Sequence, residues 1–395
     1  MINMQNVAKR EMTNIDYLYL CSEIVKQIIK TNGRLDQFYI YGENSDKFVL
    51  RFRTKEGKKD IVFNPPEFLF LRQSEQIKTP AQSPFGSALK STFSNYILRD
   101  VEQLQNDRII RLKFENGQIV LEGMRNFNII ILDRNEVVIN SYKKNDERIK
   151  IGDKYCPPKT EKKEINKENI LEAMKDEEKI VVAITRNVAL PAFYVNELLI
   201  NEDIDPKSKT TEIKEENKQA IANRLYEFYK NLKLEIEQNL EELKNNKIQT
   251  DKEKKILPVL IEGKYLIADQ KLIEKYKQKK ESEIIVLSSL SEIQEKIYRI
   301  REMQEIKKEN EKRINKLLDR LKHQEEREKE LIQEINKEKE KGNWIMQNAH
   351  YVDEIIRKYK EIKMKGGKEE LEKFLKENNL ELTKDGIKIK IEKKE

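Results

Sequence analysis

The stretch DRIIRLKFENGQIVLE, residues 107–122, decides the fold. Two runs of strand-like residues, Arg108–Phe114 and Gln118–Glu122, flank Asn116–Gly117. Both turn residues tolerate the positive φ of a type I′ turn, so the stretch is expected to form a β-hairpin. Downstream, Asn128–Leu132 and Val137–Ile139 add two more strands. Upstream, the spacing predicts a helix over Phe85–Leu104. Before that, Phe38–Tyr41, Phe48–Arg53, Asp60–Phe63 and Glu67–Leu71 read as an antiparallel meander, with turns at Gly42–Glu43 and Glu56–Gly57. A first amphipathic helix carries Ile15, Leu18, Tyr19, Ile24 and Ile28 on one side and stops at Asn32–Gly33. Residues 1–160 are thus expected to form one α+β domain, closed by the stiff Cys156–Pro157–Pro158 segment.

A charged linker, Lys159–Lys167, leads into helices from Glu168 to about Asn246, a helical middle domain over 161–255. A short β and linker segment is expected over 256–290, with strand-like Leu257–Ile261, Tyr265–Ala268 and Ile284–Leu287. From 291 to 363 the chain reads as a long antiparallel coiled-coil arm. Ile293, Ile297, Ile300, Ile314, Leu318, Leu321, Ile332 and Ile335 share one a/d register, interrupted by Gln304, Lys307, Glu325 and Glu328. The outgoing helix alone would span roughly 70 Å at the usual helical rise. Gly342–Asn343 is expected to break it, and Trp344, Ile345, Val352, Ile355, Ile356 and Tyr359 to form the return. Residues 364–395 then hold a helix and a hairpin of Leu380–Thr383 with Ile387–Ile391, turning at Asp385–Gly386.

Composition narrows the function classes. Of 395 residues 37% are apolar and 38% charged, so much of the chain must be solvated helical surface. The net charge of +7, from 78 basic and 71 acidic residues, permits an RNA partner without requiring one. No apolar run approaches the ~20 residues that cross a bilayer, and residues 1–16 lack a secretory apolar segment. A cytoplasmic protein without membrane contact is expected. Cys21, Cys156, His323 and His350 are too few for a thiolate or histidine metal site or a histidine-based triad. The sequence holds no phosphate-binding loop and no dinucleotide fingerprint. No catalytic residue, metal or cofactor is therefore assigned, and the chain is not expected to be an enzyme. The remaining chemistry sits at Asp107–Arg108, a carboxylate beside a guanidinium fork at the edge of a sheet, suited to phosphate or base contact. Taken alone, it is also a common surface pair.

The order of motifs resembles the NFACT (RqcH/NEMF) ribosome quality-control family. Asp16 stands on the first helix, FGSALK (85–90) where the family shows Phe and then Leu-Arg-Lys, and the Asp107–Arg108 pair follows. Ser91 departs from the family's second base. NIIILD (128–133) and YCPP (155–158) match its strand and its exit. Ala183–Asp205 stands at its helix-hairpin-helix segment, with Leu190-Pro191-Ala192 in place of a glycine-rich turn. RLKHQ (320–324), KGNWIMQN (341–348) and Val352 look like the archaeal and eukaryotic form of the arm.

The resemblance implies a first domain similar to the N-terminal fold of the formamidopyrimidine-DNA glycosylases, although Ile2-Asn3 stand where those enzymes carry Pro-Glu. It implies binding to a large ribosomal subunit that holds obstructed peptidyl-tRNA, and recruitment of tRNA for untemplated C-terminal tailing of the stalled chain. Peptide bonds would be made by the ribosome. Asp16, Asp107, Arg108 and Lys90 become the expected tRNA-binding residues. The family's RNA-binding NFACT-R domain would follow Ile387–Ile391, so a separate NFACT-R polypeptide is an expected partner. Bacterial members also carry a fibronectin-binding name. The competing expectations are a structural coiled-coil scaffold without RNA contact and a DNA-repair-like nucleic-acid binder.

Overall fold

The computed structural model describes residues 10–41, 46–76, 80–81, 83–244, 256–261, 263–279, 284–384 and 386–390. Gly42–Glu43, Asn246, Asp385 and Ile391, which figure in the expected turns and ends, lie outside the described residues. The chain divides into two compact units, Met1–Gln304 and Glu305–Glu395.

The first unit opens with α1 (Asn14–Ile24), which starts through a reciprocal cap. The extended Thr13 accepts the Asp16 N–H on its hydroxyl, and the Asp16 carboxylate accepts the Thr13 N–H. The helix loosens into a π turn over Val25–Ile29, closed by Lys30 N–H donating to Val25 O at 2.9 Å. It stops where expected. Asn32 takes the left-handed region (φ 53°), and a Cβ on Gly33 would lie 2.4 Å from Ile28 Cγ2.

Two antiparallel sheets follow. The first contains β1 (Arg34–Tyr41), β2 (Phe48–Thr54), β3 (Gly57–Asn64), β4 (Phe68–Gln73) and β5 (Pro80–Ala81), in the order β4-β3-β2-β1-β5. Helix α2 (Pro84–Phe93) leads to the second: β6 (Leu98–Gln103), β7 (Ile109–Phe114), β8 (Gly117–Glu122), β9 (Asn128–Leu132) and β10 (Val138–Ser141), in the order β10-β9-β8-β7-β6. Aromatic side chains join the sheets. Phe52 stacks on Phe114 with centroids 6.4 Å apart, and Phe127 meets Phe48 at 5.7 Å. Each of these buried rings contributes roughly 2–3 kcal/mol over an exposed one. The strands β8 and β9 are buried on both faces, because Ile149 and Tyr155 cover Ile109, Val120, Ile130 and Leu132.

Two expectations need correction. The helix expected over Phe85–Leu104 ends at Phe93, and β6 takes its second half. Asn95 (φ 68°) ends the helical path, and a bulge in the β6–β7 register between Leu98 and Asp100 puts Leu98 and Val101 on one buried face. That spacing of three imitates a helix. The β7–β8 hairpin forms, but Phe114 pairs with Gly117, so Glu115 and Asn116 make its loop. Neither Asn116 nor Gly117 has positive φ. Gly117 serves close approach instead, since a Cβ there would lie 2.4 Å from Leu132 O.

The middle of the unit is helical: α3 (Lys167–Ala173), α4 (Ile180–Asn187), α5 (Ala192–Asn201) and α6 (Glu215–Lys244). A three-stranded sheet follows, β12-β11-β13, made of β11 (Ile256–Ile261), β12 (Lys264–Asp269) and β13 (Ile284–Val286), with α7 (Gln270–Lys279) after β12. Tyr194, Phe228, Ile267 and Leu290 share one continuous core with α1 and both large sheets. The long helix α8 (Leu290–Gln347) starts here.

The second unit takes α8 from Glu305 and adds α9 (Ala349–Lys365), α10 (Lys368–Glu377), β14 (Leu380–Thr383) and β15 (Gly386–Ile389). Ile355, Phe374 and Leu380 form its small core, and Gly366 (φ 75°) ends α9 as a left-handed cap. The α+β domain, helical middle and long helical arm are present as expected, but the break at Gly342–Asn343 is not. A glycine in an exposed helix costs only ~1 kcal/mol. The irregularity falls at Asn348, and helical bonds bridge it, Asn348 N–H to Trp344 O and Val352 N–H to Asn348 O, both 3.0 Å. No antiparallel return packs on the seam among the described residues, and Ile314, Leu318 and Leu321 stay 54%, 56% and 51% exposed.

Candidate nucleic-acid interface

The loop between β6 and β7 carries Asp107 and Arg108. Gln105 and Asn106 both occupy the left-handed region (φ 53° and 51°), so the loop needs outside support. It comes from side-chain amides. Gln103 donates to Asn14 O at 2.6 Å and Asp107 O at 2.8 Å, while Asn14 donates to Asn106 O at 2.8 Å and Ala189 O at 3.0 Å. The start of α1 thereby ties the loop to the segment before α5. Arg108 O accepts the Gly123 N–H at 2.7 Å, which fixes the backbone behind the guanidinium.

Asp107 and Arg108 stand where two clefts meet. One, of about 990 Å³, is lined by Arg108, Arg125, Lys143, Lys144 and Arg148 together with Asp107, Asp146 and Glu147. The other, of about 510 Å³, brings Glu11, Asn14, Lys162 and the Leu190–Pro191–Ala192 turn to the same pair. The cations are held in different ways. Arg148 pairs with the buried Glu122 at 2.8 Å; burial alone would lower its pKa, and Glu122 together with Asp146 outweighs that and raises it. The Lys143 ammonium sits over the Phe127 ring, 3.5 Å from its centroid. Arg108 donates to Glu11 Oε2 at 3.0 Å, and Arg125 donates to Glu11 Oε1 through Nε at 3.0 Å, with its Nη2 ion-paired to the same oxygen at 3.0 Å. Burial would raise the Glu11 carboxyl, but these two arginines overcome it and hold the carboxyl below the usual range.

The four expected site residues do not converge. Asp107 and Arg108 share both clefts. Asp16 lies buried behind them with no exposed surface, its carboxylate accepting from Thr13 N–H (2.7 Å), Thr13 Oγ1 (2.9 Å) and both terminal nitrogens of Arg10 (2.6 and 3.0 Å). Arg10 is in turn placed over Tyr265 (3.9 Å) and Phe193 (4.8 Å) and donates to Tyr265 O. Asp16 thus stands in an assembly position, joining α1 to α5 and β12 through Arg10. Lys90 is exposed in the last turn of α2 and lines neither cleft at Asp107–Arg108.

Glu11, Asn14, Gln103 and Arg125 escaped sequence reasoning. Their partners lie far along the chain, such as 114 residues between Arg125 and Glu11, and no local spacing records them. Only Asn14, next to the capping Thr13, had a local cue. Among the described residues no group of three or more His, Cys, Asp or Glu could hold a metal ion, and no helix is long and apolar enough to cross a membrane.

Residues 16–394 match the family described as NFACT N-terminal and middle domains. The chain is 26% identical over 133 residues to the Saccharomyces cerevisiae protein named ribosome quality control complex subunit 2, which covers 33% of this chain and only 13% of that protein. Among solved structures it is similar to the fibrinogen binding protein of Staphylococcus aureus, with TM-score 0.45 and 15% identity, over 71% of this chain and 97% of that one. It is also similar to the formamidopyrimidine DNA glycosylase of Lactococcus lactis, with TM-score 0.27 and 10% identity, over 62% and 87%. With the family match spanning nearly its whole length, the chain belongs to the NFACT family.

Proposed function

We propose that this chain acts in ribosome quality control, binding a large ribosomal subunit that still carries peptidyl-tRNA and recruiting tRNA for untemplated C-terminal tailing of the stalled chain. The observation that carries the reading is the placement of Asp107–Arg108 where two clefts meet, with Arg125, Lys143, Lys144 and Lys162 around it, in a chain of this family. A guanidinium fork reads phosphate and base edges, and the surrounding cations supply the sequence-independent attraction of RNA. The protein positions substrates, and the ribosome makes the peptide bond. A cytoplasmic location and pairing with an NFACT-R polypeptide belong to the same proposal, on the resemblance alone.

The test is sedimentation of the purified chain with large subunits that carry or lack peptidyl-tRNA. Retention on the occupied subunits, reduced by Arg108→Ala, is the expected outcome; equal release from both would refute the reading. The exposed seam of α8 favours one other reading, a scaffold that pairs with another helix without RNA. A scaffold would bind neither kind of subunit.

A further inference from the structure

We propose that Arg108 and Arg125 form a phosphate site for RNA that the Glu11 carboxylate occupies in the free protein. The proposal rests on the reading of Arg108 as an RNA-facing residue and adds to it a second cation and an internal competitor.

The geometry is that of an occupied anion site. One Glu11 oxygen takes Arg108 Nη1 at 3.0 Å, and the other takes Arg125 Nε at 3.0 Å, with Nη2 ion-paired to it at 3.0 Å. A phosphodiester offers two non-bridging oxygens to the same pair of forks, as a carboxylate does. Glu11 has no other visible task here. The cap of α1 is built from Thr13 and Asp16, so moving the Glu11 side chain leaves the helix start intact. The exchange is also inexpensive. The Arg125 side chain is 83% exposed and that of Glu11 36%, so the Arg125 bridge is a weak surface pair; the Arg108 side chain, 22% exposed, holds Glu11 from a half-buried position. Among the other charged groups that line the larger cleft, Lys143 and Lys144 add positive charge, Asp107 and Glu147 negative charge, and Arg148 is already matched by Glu122 and Asp146.

Glu11 would then set a threshold. With the carboxylate in place, RNA binding trades one anion for another and releases few counterions at this point. With Glu11→Gln, both arginines carry counterions, and each further phosphate they neutralise should steepen the salt dependence of log K by ~0.7 for single-stranded RNA.

The experiment is fluorescence anisotropy of labelled bulk tRNA with the full chain over a salt series. The proteins are wild type, Glu11→Gln, Arg125→Gln, Glu11→Gln with Arg125→Gln, and Glu147→Gln as a charge control on the cleft wall. Glu11→Gln should bind about 3- to 10-fold more tightly, as expected for releasing one surface pair and one half-buried pair, with a steeper salt slope. The gain should vanish when Arg125→Gln is added. Thermal melts confirm folding, which the exposed bridge should scarcely affect. An unchanged or weaker affinity for Glu11→Gln overturns the proposal, and so does an equal gain from Glu147→Gln, which would show general electrostatics. Inorganic phosphate replacing chloride at matched ionic strength should remove the gain by competing for the same two forks, and a gain that survives it would overturn the assignment of a phosphate site. Wild-type retention on large subunits, measured in parallel, tests the functional reading separately.

Discussion

The carboxylate of Glu23 caps α8 from another helix: it accepts the Leu290 N–H at 2.6 Å and the Ser291 N–H at 3.1 Å. The Ser291 hydroxyl also donates to Glu23 and accepts the Leu71 N–H at 3.0 Å, so α1, β4 and the start of α8 meet at one buried group. Glu23→Ala should therefore cost ~1–3 kcal/mol, since it removes a cap and strands buried donors. Burial pushes the Glu23 carboxyl up, against the bonds from Ser291 and the backbone. A carboxyl whose pKa is raised in the folded state binds its proton more tightly there than in the unfolded chain. Its contribution is then fullest at low pH and is lost as pH rises from the ordinary carboxylate value through the raised one. Denaturant melts of wild type and Glu23→Gln between about pH 4 and pH 7 should show the difference between the two changing in that direction. A difference independent of pH would remove the titration argument.

Tyr17 fills the space that a side chain at Gly123 would need. A Cβ there would lie 1.7 Å from Tyr17 Oη and 2.5 Å from Cζ, and Gly123 N–H also holds Arg108 O. Gly123→Ala should destabilise the chain by at least ~1–3 kcal/mol through overpacking and should weaken tRNA binding by displacing Arg108. The matching change is Tyr17→Leu. In the double variant the two losses should sum to less than they do separately, because the shorter side chain frees the contested space. Additive losses in thermal melts would show that the two residues do not compete.

Much of this was legible from the sequence, and the failures have causes. Strand positions β7 to β9 follow from short apolar runs that stay buried, and Asn32–Gly33 stops α1 by local chemistry alone. The β6 strand was hidden because its bulge converts alternation into a spacing of three at Leu98 and Val101. The Asp107–Arg108 pair was visible as a motif. Its setting was not, since Glu11, Asn14 and Arg125 reach it from distant segments. The heptads of α8 led to an expected antiparallel return, but Ile314, Leu318 and Leu321 stay exposed and no segment among the described residues covers them.

Asp16 separates structure from contact. Its carboxylate is buried with four donors, two of them from Arg10, and burial of Arg10 is opposed by Asp16, which keeps the guanidinium charged. Removing one partner of a buried pair costs ~3–5 kcal/mol, so Asp16→Ala should lower the melting temperature sharply, and Asp16→Asn less so. Any loss of RNA binding should follow the loss of folded protein. A variant that melts like wild type yet fails to bind tRNA would show a direct role for Asp16.

Asp107 and Arg108 give the test with a sign. Asp107 Oδ1 accepts the Arg108 N–H at 2.7 Å, and both side chains line the same two clefts. If the pair positions tRNA, Arg108→Ala should cost roughly 1–3 kcal/mol of binding. Asp107→Ala should also harm selection, because a carboxylate accepts from exocyclic amines and hydroxyls and supports the loop that aims Arg108. Plain attraction of a polyanion predicts the reverse for Asp107, since deleting a negative charge strengthens binding to RNA and leaves it steeply salt-dependent. Filter binding of tRNA on large subunits, with wild type, Asp107→Ala and Arg108→Ala, distinguishes the two. Should Asp107→Ala bind as well as wild type or better, with normal tailing, the cleft attracts RNA by charge alone, and the pair does not read it.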